Sequence, residues 1–249
     1  MLLKITDLNQ AYDQSRTLWG LNLEIESGNC MGLIGRNGVG KTTFLSCVMG
    51  LIKPTSGVMR YQDVDLIKTP PEARAGLGIG YVPQGRMIFP LLTVEENLRI
   101  GLGAVDGNDG SIPEQVFDLF PVLKSMLNRL GGDLSGGQQQ QLAIGRALVL
   151  GPKLLILDEP TEGIQPSIIK EIANVIRELI GGFGMTVLVV EQKLPFVRDV
   201  CDRFCIMDKG RNVAEGGMPD LSDDLVPVSY THLRAHETRH DLVCRLLLE

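Results

Sequence analysis

The sequence predicts an α/β fold built on a mainly parallel sheet. Three observations lead there. Short, nearly all-apolar runs at 30–34, 154–157 and 186–190 have the composition of strands covered on both faces. Helical patterns lie between these runs, and strands alternating with helices form parallel sheets. The first run also leads straight into a glycine-rich stretch, Gly35-Arg36-Asn37-Gly38-Val39-Gly40-Lys41-Thr42, with a helical segment behind it.

Taken in order, residues 2–5, 21–25 and 30–34 read as strands. A helix is expected from Lys41 to about Met49, closed by Gly50. Residues 58–61 form a strand. Thr69-Pro70-Pro71-Glu72 reads as a helix start, with Thr as N-cap and proline at the first position. A buried strand at 80–82 ends at Pro83, and Thr93-Val94-Glu95-Glu96 is a capping box. Residues 101–111 are a Gly/Asp-rich loop, and helical patterns fill roughly 113–130. The stretch from about 85 to 137 is thus a mostly helical insert. A helix at 138–150 is closed by Gly151-Pro152. Then come a strand at 154–157, an amphipathic helix at 166–180, a strand at 186–190, a short helix at 194–200 and a last clear strand at 204–207.

With 249 residues, 44% of them hydrophobic, the chain can bury a sizeable core. A net charge of −6 argues against nucleic acid as a partner, and 5% aromatics argue against a stacking platform for single strands. No apolar run approaches the roughly 18 residues of a membrane span. The first residues, MLLKITDLNQ, are too polar for a signal peptide, so a cytosolic chain is expected. Cys30, Cys47, Cys201, Cys205 and Cys244 show no zinc-type CxxC pairing and read as small buried hydrophobes.

His232, His236 and His240 are spaced to share one helical face, which suggests a metal site. A different origin fits better. Residues 228–237 back-translate as GTC TCT TAT ACA CAT CTC CGA GCC CAC GAG, which resembles a sequencing-library transposon adapter read in frame. Residues 240–249 look like the adjoining primer sequence. Residues 227–249 are therefore expected to be a translated artefact without native function, and the native sequence is expected to break off near Val226. The preceding 226 residues then contain no histidine.

Two motifs carry chemistry. Residues 35–42 match G-x-x-x-x-G-K-[ST] in full, between a strand and a helix. Glycines let backbone N–H groups close around phosphate, and the helix N-terminus favours anions. Lys41 suits the β/γ-phosphates, Thr42 suits Mg²⁺, and Thr43 a phosphate oxygen. Leu154-Leu155-Ile156-Leu157-Asp158-Glu159 then places two carboxylates at the end of a buried strand. Asp158 suits Mg²⁺ and Glu159 suits polarising an attacking water. Between them lies Leu134-Ser135-Gly136-Gly137-Gln138, a Gly-rich turn opening a helix.

The order of phosphate loop, LSGGQ and Asp-Glu resembles the nucleotide-binding subunits of ABC transporters over residues 1 to about 226. The resemblance implies a single RecA-like P-loop NTPase domain with an antiparallel β subdomain and an α-helical subdomain, the latter at about 85–137. It implies ATP and Mg²⁺ as cofactors. It makes Tyr12 the aromatic that stacks on adenine and Gln84 the glutamine that senses Mg²⁺ and the γ-phosphate. Leu134, Ser135, Gly136, Gly137 and Gln138 would close on a partner's ATP. Two positions depart from the pattern: Gln192 stands where a switch histidine is usual, and Gln165 where the D-loop usually has aspartate. Glutamine can hydrogen-bond but carries no positive charge. ATP binding is unaffected by these changes, whereas the hydrolysis rate is open.

The motif wording narrows the resemblance to the branched-chain amino acid and urea/amide importers. Gly85-Arg86-Met87-Ile88-Phe89-Pro90 and Thr161-Glu162-Gly163-Ile164-Gln165-Pro166 resemble one of the ATP-binding subunits of urea ABC transporters, where the amino acid relatives often read VPEGR and SLGLAP. The expectation is an ATPase powering urea import, with branched-chain amino acid import as the alternative. A soluble ABC ATPase acting on nucleic acid or ribosomes is a weaker third. The implied assembly has a second, related ATPase closing head-to-tail, two membrane permeases and, indirectly, an extracytoplasmic binding protein. Arg86 to Pro90 would meet the permeases, although Ile88 and Phe89 could equally be core. Such a chain works on the inner face of the bacterial plasma membrane.

Overall fold

The computed structural model describes residues 1–103, 110–222 and 225. The three histidines, Cys244 and all of the suspected artefact at 227–249 lie outside the described residues, as does most of the Gly/Asp-rich loop.

Strand β1 (Leu3–Tyr12) turns tightly into β2 (Ser15–Ile25), and β3 (Cys30–Ile34) follows. Helix α1 (Lys41–Val48) leads to β4 (Ser56–Tyr61), β5 (Val64–Asp65), the single turn α2 (Ala73–Gly76) and β6 (Ile79–Val82). The helical insert comprises α3 (Val94–Leu102), α4 (Glu114–Leu119) and α5 (Pro121–Ser125). Then come α6 (Gly136–Leu148), β7 (Leu154–Asp158), α7 (Pro166–Phe183), β8 (Thr186–Glu191), α8 (Leu194–Val200), β9 (Arg203–Asp208) and β10 (Arg211–Gly217).

Two sheets result. One is antiparallel, in the order β2-β1-β4-β5; the other runs β10-β9-β3-β8-β7-β6 and is parallel except for its β9–β10 hairpin. The parallel strands face two separate cores, because alternate residues point to opposite faces. Leu154, Ile156, Leu188 and Val190 join α1 and the antiparallel sheet in one core. Leu155, Leu157, Val187 and Val189 join helices α3 to α8 in the other. Each such side chain contributes about 1.5–3 kcal/mol by leaving water. Cys30, Cys47, Cys201 and Cys205 are free and buried, as small hydrophobes should be.

Four expectations need correction. Strands β1 and β2 run far beyond 2–5 and 21–25, because their distal halves are rich in polar residues, Asn9 and Gln10 of β1 being buried ones, and so lack an apolar pattern. Thr69 is not an N-cap: its hydroxyl donates back to the Asp65 carbonyl at 2.8 Å. Pro71 keeps Pro70 out of the helical region, so α2 begins only at Ala73. Helix α6 starts two residues before Gln138, with Ser135 as N-cap. Finally, β10 escaped the sequence reading because only alternate residues are half-buried. Its signal was the turn Lys209-Gly210, with φ of 45° and 76°, which suits a two-residue hairpin. The Thr93–Glu96 capping box forms as expected.

Helix α3 crosses α6 closely at Gly101, where an added Cβ would lie 2.3 Å from Val149 Cγ2 and 2.6 Å from the Arg146 carbonyl. Alanine improves helix propensity by about 1 kcal/mol, but overpacking of this kind costs about 1–3 kcal/mol. Gly101→Ala should therefore lower stability in denaturant unfolding. A neutral or stabilised variant would mean the two helices separate without cost.

Candidate nucleotide site

Residues 35–40 join the middle of the parallel sheet to α1. Gly38 and Gly40 have φ of 82° and 108°, conformations that a side chain would strain. Gly35 has a further reason: a Cβ there would come within 2.8 Å of the Met207 carbonyl and of Val39 Cγ2. The loop is tied in on both sides, by Gly35 N–H to the Glu191 carbonyl (3.3 Å) and by Gly210 N–H to the Val39 carbonyl (2.8 Å).

Lys41 opens α1 with its side chain only 5% exposed. Its Nζ donates to the carbonyls of Gly35 (2.7 Å) and Arg36 (3.0 Å) and pairs with Glu159 Oε1 at 3.2 Å. A cavity of about 150 Å³ brings Arg36, Asn37, Gly38, Gly40, Lys41, Thr42 and Thr43 together with Gln84 and Glu159. Thr17, which the sequence reading did not single out, also lines it. Tyr12 is half-exposed beside this cavity, its hydroxyl 3.5 Å from Thr43 Oγ1. A wider apolar groove of about 860 Å³ runs between α7 and α8, but it lacks the phosphate loop and both carboxylates of β7's end.

Strand β7 delivers the acidic pair. Asp158 is buried, and its pKa rises to about 6, first through burial and second through the neighbouring Glu159, against the opposing pull of Lys41. Glu159 turns the chain out of the sheet with φ of 47°. Three side chains converge on its carboxylate: Lys41 on Oε1, and Gln192 (3.1 Å) and Gln84 (3.4 Å) on Oε2. Gln84 also donates to Glu162 at 3.0 Å. A carboxylate held by a lysine and two amides is oriented as a hydrogen-bond acceptor.

The LSGGQ segment lies apart from this cavity. Ser135 caps α6 by accepting from Gln138 N–H (3.3 Å), while Gln138 Oε1 accepts from Ser135 N–H (2.9 Å). Leu134 is buried. Gly136 lies against the Arg86 guanidinium, and Gly137 against Ile168, where a Cβ would meet Cγ1 at 2.9 Å. Arg86 bridges α6 and the turn after β7 by donating to Gln139 Oε1 (3.3 Å) and the Glu162 carbonyl (3.1 Å). Ile88 packs on the helical core, whereas Phe89 is half-exposed beneath Arg146. Gln165 precedes α7 without a side-chain capping bond.

A glycine-rich loop between a parallel strand and a helix, facing an Asp-Glu pair at the end of a neighbouring strand, defines a P-loop nucleoside triphosphatase. The family model described as ABC transporter matches residues 18–162. The BraG protein of Pseudomonas aeruginosa, a high-affinity branched-chain amino acid transport ATP-binding protein, is 38% identical over 85% of this chain and 91% of its own length. The LivF protein of Archaeoglobus fulgidus, a probable branched-chain amino acid transport ATP-binding protein, is 33% identical over 88% and 94%. The dimeric, ADP- and Pi-bound structure of the ATP-binding cassette MJ0796 superposes with a TM-score of 0.79 at 25% identity, covering 87% of this chain and 99% of that one. The chain belongs to the ABC transporter ATPase family, with that family's cassette fold, nucleotide binding and ATP hydrolysis.

The narrower urea reading is not supported. BraG and LivF carry branched-chain amino acid names and not urea names. The physical reason is that the distinguishing loops, 85–90 and 161–166, make contacts with one another and with α6, so their wording reports packing within the ATPase.

The shift of Asp158 sets a sign for stability. Its folded pKa, about 6, lies above the ordinary 3.8. The folded state therefore holds the proton more tightly, and this contribution to stability, full at low pH, is lost as pH rises through about 6. With nucleotide and divalent ions removed, Asp158→Asn should gain on the order of 1–3 kcal/mol at pH 7 and little at pH 4. An equal gain at both pH values in denaturant titrations would assign it to packing instead.

Proposed function

We propose that this chain is the ATP-hydrolysing subunit of an importer for branched-chain amino acids, the alternative that the sequence reading placed second. The convergence of Lys41, Gln84 and Gln192 on Glu159 at the phosphate-loop cavity supports the hydrolytic part of this reading, and the branched-chain amino acid names of BraG and LivF support its cargo.

In this reading Tyr12 stacks on adenine. The backbone of Gly35, Arg36, Asn37, Gly38, Val39 and Gly40 cradles the phosphates, with Lys41, Thr42 and Thr43 completing the contacts. The oxygens of Asp158, Thr42 and Gln84 are a hard donor set that fits Mg²⁺, an ion that keeps few protein ligands and shares phosphate oxygens. When bound, Mg²⁺ offsets charge developing on the phosphates. Glu159 polarises the attacking water, and Gln192 holds Glu159 by an amide contact that does not titrate. The Lys41–Glu159 pair gives the steps an order: phosphate must draw Lys41 away before Glu159 can turn to water.

Leu134, Ser135, Gly136, Gly137 and Gln138 lie away from this chain's own cavity and serve the ATP of a second, related chain docked head-to-tail. Residues 1–226 act as one ATPase domain, with 227–249 outside it. Half-exposed Phe89 and exposed Met87 and Leu91 face two membrane permeases, which receive cargo from an extracytoplasmic binding protein. The chain thus sits on the inner face of the plasma membrane, and nucleic acid is no partner. Among the described residues no helix is long and apolar enough to cross a membrane, so the permeases supply the pore.

Two measurements check this reading. Cells lacking the chain should regain labelled leucine uptake, and not urea uptake, when complemented with it; urea uptake alone would overturn the cargo. Glu159→Gln should cut ATP hydrolysis by about 10²–10⁴-fold and accumulate an ATP-bound dimer in the presence of the partner ATPase. Near-normal turnover would remove Glu159 from its role.

A further inference from the structure

Glu191 is a carboxylate that the hydrolysis reading does not use, yet it is among the most deeply buried charged groups of the described chain. Strand β8 runs between the phosphate-loop strand β3 and the acidic strand β7, with Ile34 opposite Glu191 and Asp158 opposite Val190. Glu191 is the last residue of β8 and is 1% exposed. Its Oε1 accepts from Thr161 N–H (3.3 Å) and from the Thr161 hydroxyl. Its Oε2 accepts from Gln192 N–H (2.8 Å) and Lys193 N–H (3.0 Å). An ionised carboxylate offers about four acceptor positions, and here each has a donor.

These donors belong to two different loops. Thr161 follows Glu159 in the turn leaving β7, closed by Glu162 N–H to the Glu159 carbonyl (3.1 Å). Gln192 and Lys193 leave β8. Lys193 adds a second strap, its Nζ donating to the Thr161 carbonyl at 3.0 Å. Across the gap so fixed, Gln192 Nε2 reaches Glu159 Oε2 at 3.1 Å. The strand ends themselves are joined by Glu159 N–H donating to the Val190 carbonyl at 2.8 Å, and the Glu191 carboxylate carries that link on into both loops.

We propose that Glu191 is a positioning residue for ATP hydrolysis: it clamps the loop carrying Gln192 to the loop carrying Glu159, so that the Gln192 amide keeps the Glu159 carboxylate aimed. This rests on the reading of Glu159 as the group that polarises water. Only an acceptor on both oxygens serves. A glutamine at this position would turn an N–H₂ group toward backbone N–H donors, leaving buried donors unpaired. The phosphate loop would be spared, because its link to this residue runs through the Glu191 main-chain carbonyl.

The test measures kcat and KM for ATP in the assembled transporter for Glu191→Gln, Gln192→Ala and the double variant. Glu191→Gln should lower kcat by about 10–100-fold, the scale of a misplacement of about 1 Å, with KM and the affinity for a fluorescent ATP analogue within about twofold. Because Glu191 acts through Gln192, the double variant should be no slower than the slower single variant. Multiplying losses, or a loss confined to KM, would overturn the proposal. Should Glu191→Gln fold poorly, Thr161→Val removes only one donor; it should give a smaller kcat loss that also disappears in the Gln192→Ala background, and an additive loss there overturns the proposal too. Glu159→Gln, assayed alongside, separates the two failures. If it hydrolyses ATP normally, the base assignment falls; if it is inactive while the Glu191 and Gln192 effects multiply, only the clamp falls.

Discussion

The buried ion pair between Lys41 and Glu159 is the contact on which the site depends. Both side chains are about 95% withdrawn from water, at 5% and 4% exposure, and separated by 3.2 Å. Removing one partner of such a pair commonly costs about 3–5 kcal/mol, because the other charge is left uncompensated. The two residues are far apart in sequence and meet only because β3 and β7 flank β8 in one parallel sheet. Parallel strands place all their C-terminal ends on one edge. Whatever follows β3, β7 and β8 must therefore share that edge, and here it is the phosphate loop, the Asp-Glu turn and the Gln192 loop.

The sheet can hold these charges because it is anchored on both faces. Gly32 shows how tight the packing is: a Cβ there would meet Val197 Cγ1 of α8 at 2.5 Å. A strand this closely covered has little freedom to shift its end. The buried carboxylates then sit where water is scarce and protein donors are fixed, conditions under which Asp158 holds its proton up to about pH 6. Their orientation depends on hydrogen bonds from neighbouring loops rather than on solvent.

The central strands and the phosphate loop were legible in the sequence because their signals are local. An apolar run such as 154–157 needs no knowledge of its neighbours, and Gly-x-x-x-x-Gly-Lys-Thr contains its own geometry. The half-exposed elements were less legible. The far halves of β1 and β2, and all of β10, alternate polar and apolar residues weakly, and the chain reveals them mainly through hairpin turns such as Lys209-Gly210. The site divides the same way. Lys41, Asp158 and Glu159 were readable from motif wording. Thr17 and Glu191 were not, since only the order of strands brings them to the site. One cue was present: Glu191 ends an apolar run, as Asp158 does, and a charge at the end of a fully buried strand must find partners.

Cargo identity is the least legible property, for a physical reason. The residues whose wording separates the two importer resemblances, such as Gln84-Gly85-Arg86 and Gln165, lie around the nucleotide cavity and the loops beside it, and in the proposed reading none touches an amino acid or urea. Their side chains report how strokes are coupled. Arg86 illustrates this, since one guanidinium links the loop after β6 to the signature helix through Gln139 and to the turn after β7 through the Glu162 carbonyl. A movement of any of these three segments strains the other two. Together with the Glu191 contacts, this makes the edge of the sheet a set of loops that shift as a group. In the proposed reading, hydrolysis geometry and permease docking are coupled through these same few hydrogen bonds, whichever molecule the permease carries.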